Sequence, residues 1–368
     1  MKVALVYDRV NQFGGAERVL LALHQIYPHA PLYTAVYNRQ TAKWADVFDI
    51  KTTFLQHFPY FRTHHQLLPL LTPMAFAKLD LSNFDVIISV SSAEAKFVTK
   101  NSNQLHVCYC LTPTRYLWSH RRFYQRQGIF GFILKLFSSH LRRLDFKAAT
   151  KVDHFIAIST QVQKRLKAYY HRPSLLIYPP VNTQAPSPKA ETTGLKDFYL
   201  AVSRLVEYKR LDLAIKACNQ LKRHLVIVGT GPLLAKLKKI AGPTINFGGQ
   251  LTDSQLSSYY KNCRALIFAT NDDFGIVPVE AQAHGKPVIA LAKGGALETV
   301  ISGKTGVFFD QPTQASLVKA ILKLEKLQKQ AKIKASDCRQ NAQKFDQSIF
   351  KNQFKNTIEK LYQSHLKN

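Results

Sequence analysis

The chain has 368 residues, 46% of them hydrophobic, with 51 lysines and arginines against 23 acids, a formal charge of +28. That length suits two domains of similar size, and no run approaches the roughly 20 apolar residues of a membrane-spanning helix. The positive excess is shared by both halves, which argues against a single basic tail and favours anionic partners: nucleotide phosphates, a phospholipid surface, lipid diphosphates or nucleic acid.

In chain order, KVALVYDRV (2–10) reads as a strand without the apolar core or cleavage site of a signal peptide. It runs into NQFGGAERVLLALHQIY, where Gly14 and Gly15 form a turn and Val19, Leu20, Leu23 and Ile26 share a helical face. FDVIISVSS (84–92) and LHVCYCLTP (105–113) read as buried strands. Residues 113–151 are strongly basic around the apolar run GIFGFILKLF, a composition that suits a helix lying on anionic lipid or a core helix with a basic outer face. VDHFIAIST is a strand and QVQKRLKAYY a helix. LLIYPPVN closes the half at residue 182, because Pro179-Pro180 cannot continue a central strand.

Residues 183–195, TQAPSPKAETTGL, read as a linker. A second alternation fills 196–344: strand FYLAVSRL, helix LDLAIKACNQL, strand HLVIVGTG, helix PLLAKLKKIAG and strand TINFGG. The helix LTDSQLSSYYKN, capped by Thr252 or Asp253, leads to strand RALIFAT, the segment DDFGIVPVEA with its helix, and strand KPVIALA. Residues 345–368 form an amphipathic helix that can pack back on the first domain. The expected class is α/β, with two Rossmann-like doubly wound parallel-sheet domains, 1–182 plus the C-terminal helix and 196–344.

Ligands of such sheets bind beyond the carboxyl ends of strands, where loops feed helix N-termini. Four stretches fall there. FGGAERV brings Gly14 and Gly15, which allow close backbone approach to a ligand or simply make a turn. SRLVEYKR brings Arg204 and Lys209, two cations able to neutralise a diphosphate. In VGTGP, Gly229 and Gly231 make a tight strand-to-helix turn, not a complete dinucleotide fingerprint. In DDFGIVPVEA, residues Asp272, Asp273, Phe274 and Gly275 form a loop with exposed amides, Ile276 follows, Pro278 suits a first helical turn, and Glu280 can accept hydrogen bonds from a ribose diol. The five cysteines are scattered, as in reduced cytoplasmic proteins, and none of the 13 histidines pairs at metal-ligand spacing, so no metal site is expected.

Asp272-x7-Glu280 resembles the E-x7-E element of the retaining GT-B glycosyltransferases usually called family 4, with Asp at the first position. GGAERV, VDHFIAIST ending in IYPPVN, SRLVEYKRLDLAIKA, VGTGP and EAQAHGKPVIALAKGGALETV fall in that family's order. Together with DDFGIVPVEA, TPTRYLW (112–118) is similar to bacterial mannosyltransferases of surface-polysaccharide assembly. The resemblance implies a hexosyltransferase with two domains facing a cleft. Arg204 and Lys209 would hold the donor diphosphate, Glu280 the ribose, and Asp272 with the amides of 273–276 the sugar. Gly14 and Gly15 would face the diphosphate from the other domain, and Arg115, Tyr116 and Trp118 would lie on the acceptor side. It implies retention of configuration without a metal or other cofactor, GDP-mannose as the favoured donor with a UDP-sugar as alternative, and a glycan or polyprenyl-linked acceptor at the inner face of the cytoplasmic membrane. Two positions depart from the family: Leu111 stands where His is usual before Thr-Pro, and Ser119 where an acid often follows the Trp. The competing readings are a nucleotide-sugar epimerase on the same fold, or a non-catalytic anion or nucleic-acid binder. No recognised nucleic-acid module accompanies the charge, so nucleic acid is not an expected partner.

Overall fold

The computed structural model describes residues 1–58, 71–125, 128–184 and 197–367, and the chain divides into two compact units, Met1–Pro180 with Phe350–Asn368, and Val181–Ile349. Most of the expected linker lies outside the described residues.

Among the described residues the first unit contains seven strands: β1 (Val3–Tyr7), β2 (Leu32–Thr34), β3 (Ile50–Thr52), β4 (Val86–Ser91), β5 (Leu105–Cys110), β6 (His154–Ala157) and β7 (Leu175–Leu176). They pair in parallel in the order β3-β2-β1-β4-β5-β6-β7. Every residue of β1, β4 and β5 is buried, which explains why these segments read as continuous apolar runs rather than alternations. β2 and β3 have only three residues each, too few to show a period, and sequence reading passes over them. The helices are α1 (Gly15–Ile26), α2 (Leu71–Ala77), α3 (Arg121–Tyr124), α4 (Gly128–Lys151) and α5 (Thr160–Tyr170). Gly14 has φ −172° and is the N-cap of α1, and Gly15 is its first residue. The pair therefore opens the helix instead of forming a turn of its own.

The described residues of the second unit form six parallel strands, β8 (Phe198–Val202), β9 (Leu225–Val228), β10 (Ile245–Gly249), β11 (Cys263–Phe268), β12 (Val288–Leu291) and β13 (Gly306–Phe309), in the order β10-β9-β8-β11-β12-β13. Its helices are α6 (Leu211–Leu221), α7 (Leu234–Ile240), α8 (Asp253–Asn262), α9 (Ile276–Ala283), α10 (Ala296–Thr299), α11 (Gln314–Lys329) and α12 (Ala335–Gln343). Alternate strand residues feed two separate cores. Tyr199, Ala201, Ile227 and Ile267 pack with Ile215 of α6 and Leu317 of α11. Phe198, Leu200, Val226 and Leu266 pack with Tyr260 of α8 and Ala281 of α9. A sheet covered on both faces is what doubly wound means, and it follows from strands that carry apolar residues on both faces. Of the two candidate caps for α8, Thr252 serves, in a capping box with Gln255.

The last helix, α13 (Gln347–His365), buries Phe350, Phe354 and Ile358 at four-residue spacing. The rings of Phe350 and Phe354 each stand edge-on to Tyr109 of β5 at 5.7 Å, so the C-terminal helix does pack on the first unit. Among the described residues no helix is long and apolar enough to cross a membrane.

One consequence is measurable through His106 of β5. Its ring is buried, with Nε2 2.8 Å from the Ser89 hydroxyl, and burial pushes its pKa down from 6.5 to about 4. Between those values the unfolded chain binds a proton that the folded chain refuses, so stability falls as pH falls through this window. The full effect is about 3 kcal/mol. We predict that His106→Gln loses less stability than the parent between pH 7 and 4.5 in denaturant titrations; equal losses would remove His106 as the cause.

Candidate functional site

In the second unit the strand order reverses between β8 and β11, whose crossovers leave toward opposite faces: α6 packs in one core and α9 in the other. The loops beyond these two carboxyl ends therefore diverge and leave a crevice, the usual ligand position in an open parallel sheet. The loop after β8 carries Arg204 and Lys209, and the loop after β11 carries Asp272, Asp273, Phe274 and Gly275.

These loops are joined by the residues that sequence reasoning singles out. Lys209 Nζ donates to Asp272 Oδ2 at 2.5 Å, with side chains 13% and 22% exposed. Thr270 Oγ1 donates to the other Asp272 oxygen at 3.1 Å. Arg204, exposed at the mouth, is steadied by a 2.7 Å hydrogen bond to the Tyr208 hydroxyl of its own loop. The sequence expectation assigns Lys209 and Asp272 to different parts of a ligand, whereas here the carboxylate orients the ammonium. An ammonium has three donors, so this contact is compatible with Lys209 also meeting an anion.

α9 begins at Gly275, whose φ of +90° is a left-handed conformation that L side chains resist. The first amides of an α-helix have no intrahelical acceptor, and this end attracts negative charge. Asp273 and Phe274 are buried, Phe274 lying edge-on to Phe345 at 5.4 Å. Glu280, one turn on, is 9% exposed and accepts at 2.9 Å from the hydroxyl of Tyr260 on α8. The Tyr260 ring stacks on His284 at 5.2 Å. His284 places Nδ1 2.8 Å from the Glu280 carbonyl oxygen and Nε2 2.9 Å from the Ser257 hydroxyl. A carbonyl only accepts, so Nδ1 carries the proton and the neutral ring receives the Ser257 hydrogen bond. Burial lowers the His284 pKa, which favours that neutral form. Tyr260 and His284 thus brace Glu280. Sequence reading missed both, since a tyrosine in an apolar helix face looks like ordinary core.

The glycines shape the crevice. Gly229 and Gly231 have φ of +134° and +158°, and a Cβ would lie 1.9 Å from the Ser203 carbonyl oxygen or 2.6 Å from that of Leu205. The loop after β9 is thereby laid backbone to backbone against the Arg204 loop. On the other side, a Cβ at Gly294 or Gly295 would lie 2.4 Å from the Asp272 carbonyl oxygen or 2.1 Å from that of Phe274. The Gly295 amide donates to the former at 2.9 Å. Gly294 and Gly295 enter the sequence reading only as part of the resemblance, and their signal was a Gly-Gly pair just after a strand.

The remaining expected site residues lie in the first unit, whose strand order reverses between β1 and β4. Gly14 sits beside Glu17, which accepts from the Tyr7 hydroxyl at 2.6 Å; burial raises the pKa of both groups. Asp8, just after β1, accepts from the amides of Ser92 and Ala95, each at 2.7 Å. The Tyr116 hydroxyl donates to Glu94, whose pKa is raised by burial and by the charge of Asp8. Trp118 Nε1 donates to Asp145 at 2.7 Å, as do Tyr170 at 2.6 Å and Thr114 at 2.7 Å. Lys96 completes this centre 2.6 Å from Asp145, with both side chains at most 3% exposed. Burial opposes the Lys96 charge, but the Asp145 carboxylate outweighs it and the pKa is raised. Tyr116 and Trp118 therefore anchor the TPTRYLW segment internally, while Arg115 is half-buried beside them. His106 is core, and Leu111 follows β5 half-buried.

Residues 183–345 match the family described as Glycosyl transferases group 1. A GDP-mannose-dependent alpha-(1-6)-phosphatidylinositol monomannoside mannosyltransferase of Mycolicibacterium smegmatis is 35% identical over 153 residues, 34% of this chain and 40% of the relative. An uncharacterized glycosyltransferase of Methanocaldococcus jannaschii is 28% identical over 182 residues, 48% of this chain and 51% of the relative. The chain thus spans about half the length, or less, of these curated relatives. The crystal structure of Anabaena Alr3699/HepE in complex with UDP and glucose superposes with a TM-score of 0.74 at 20% identity, covering 98% of this chain and 99% of that one. That likeness shows the fold, the GT-B architecture expected from the motifs.

The Lys96–Asp145 centre yields a prediction. Removing one partner of a buried ion pair strands the other charge and costs about 3–5 kcal/mol. Asp145→Asn should lower stability by that order in denaturant titration, and Lys96→Met with Asp145→Asn should lose less than the two single losses added. Strict additivity would show that the pair is not coupled.

Proposed function

The chain carries a group 1 glycosyl transferase domain at residues 183–345, and from that premise we propose that it transfers a hexose, with mannose favoured, from a nucleoside-diphosphate sugar to a glycan or lipid-linked acceptor. The observation that carries this reading is the convergence of Arg204, the Lys209–Asp272 pair, the Gly275 helix start and the braced Glu280 at one switch point.

In this reading the diphosphate lies against Arg204, Lys209 and the first turn of α9. Negative charge grows on the leaving phosphate oxygen as the bond to the sugar's anomeric carbon breaks. In this reading two cations and a helix N-terminus beside that oxygen stabilise the transition state more than the ground state. The same charges do the neutralising work of a divalent ion, so transfer proceeds in the absence of metal. Asp272 fixes the Lys209 ammonium and borders the sugar. Glu280, held by Tyr260, accepts hydrogen bonds from the ribose hydroxyls. The acceptor hydroxyl attacks from the face the leaving group departs and gives its proton to the departing phosphate oxygen, which retains configuration.

GDP-mannose is the favoured donor because the Mycolicibacterium relative is named as GDP-mannose-dependent. UDP-sugars are the second candidate, as UDP occupies the Anabaena protein. In this reading the reaction belongs to surface-polysaccharide synthesis on the cytoplasmic side of the membrane, where buried cysteines such as the five of this chain stay reduced.

Thermal denaturation in EDTA against GDP, UDP and ADP tests the reading. A ligand at a hundred times its dissociation constant adds about 2.7 kcal/mol, several degrees for a unit of this size. A shift with one nucleotide defines the donor class, and no shift with any of them overturns the reading. Calorimetry then tests the ribose contact. Hydrogen bonds to a charged group contribute about 1.5–3 kcal/mol, so Glu280→Ala should weaken binding of the preferred nucleotide by about ten- to a hundredfold. Tyr260→Phe should cause a smaller loss that disappears with the 2′,3′-dideoxy nucleotide. A parent protein that binds ribo and dideoxy forms equally refutes the ribose role of Glu280.

A further inference from the structure

The outward face of α4 has a composition that its fold does not require. Inward, Leu134 and Leu141 pack with Leu117 in a small core of their own, and Asp145 turns into the buried centre with Lys96. Outward, Phe132 is 69% exposed and Leu136 68%, with Phe137 beside them at 38%. Further along the same stripe stand exposed His140, Arg143 and Lys147, and Lys135 flanks it. Phe132, Leu136, Arg143 and Lys147 are spaced by four, seven and four residues, which places them one above another on a helix. Asp145 is the one acid in the α4 sequence, and it is buried, so the stripe bears no negative side chain. At its flank the Arg142 guanidinium covers the Trp118 ring at 4.2 Å, and Trp118 stacks on Tyr169 at 5.0 Å.

Single exposed apolar residues are ordinary. Two large ones a turn apart, continued by cations and with no acid, ask for a partner that is apolar and anionic together. A nucleic acid would meet the cations and leave Phe132 and Leu136 in water. A purely apolar protein surface would bury Arg143 and Lys147 without counter-charge, which is costly. The headgroup region of an anionic bilayer satisfies both halves, phosphates taking the cations and the acyl boundary taking the two apolar side chains. We propose that the outward stripe of α4 docks the first unit on an anionic lipid surface, with Phe132 and Leu136 entering the acyl boundary. The inference does not depend on which sugar, if any, is moved, and its test reads binding alone.

The test is co-sedimentation of the full chain with vesicles of phosphatidylcholine, alone or mixed with phosphatidylglycerol, at physiological salt. The parent should sediment with the mixed vesicles and far less with phosphatidylcholine alone. Arg143→Glu with Lys147→Glu should lower partitioning by about thirtyfold or more, and Phe132→Asp with Leu136→Asp by at least about tenfold. All four side chains are exposed, so melting temperatures should stay at the parental value. Lys236→Glu with Lys239→Glu, exposed on α7 of the second unit, changes net charge equally and should leave sedimentation intact. A parent that stays in the supernatant overturns the proposal. So does a Phe132/Leu136 variant that sediments like the parent, or an α7 control that loses as much as the Arg143/Lys147 variant.

Discussion

When all strands of a sheet run one way, each connection must cross a face, and right-handed crossovers from adjacent strands wound in opposite senses leave to opposite sides. The second unit obeys this constraint at β8 and β11, and its candidate site follows from it. α6 and α9 take their places in separate cores, so the loops feeding them part at the strand ends. Two loops can then reach one ligand with no connecting chain in between. The approach is so close that four glycines are needed behind them, each where a Cβ would strike a carbonyl oxygen of the neighbouring loop.

Charge placement differs between the two ion pairs according to burial. Lys96 and Asp145 are almost wholly withdrawn from water, and Asp145 is satisfied by Thr114, Trp118 and Tyr170. Such a pair specifies the local packing of the TPTRYLW segment and is not available to a ligand. Lys209 and Asp272 retain 13% and 22% exposure, enough for an incoming anion to share the ammonium without first breaking a buried network. Glu280 illustrates the complementary case, a carboxylate fixed in orientation by one neighbouring hydroxyl. Its orientation depends on Tyr260, whose ring leans on a histidine held in one tautomer by Ser257 and by the Glu280 backbone.

The amino-acid sequence determined the local elements and the chemistry on offer. The buried strands β1, β4, β5, β8, β9 and β11 are legible because short, predominantly apolar runs between polar or turn-forming residues suit a sheet covered on both faces. Arg204, Lys209, Asp272 and Glu280 are legible because cations and acids stand just past such strands. The three-residue strands β2 and β3 were not, for a period cannot show in so short a run. Tertiary structure alone decided what those side chains do to one another. The contacts of Lys209 with Asp272, 63 residues apart, and of Tyr260 with Glu280, 20 apart, arise from strand order, which local pattern does not encode. For the same reason the sequence does not show that Trp118 donates to Asp145, 27 residues away, and Gly14 reads as a turn but caps a helix. Periodicity is a property of neighbouring residues, whereas a site is a property of segments brought together by crossover connections, and only the folded chain carries that information explicitly.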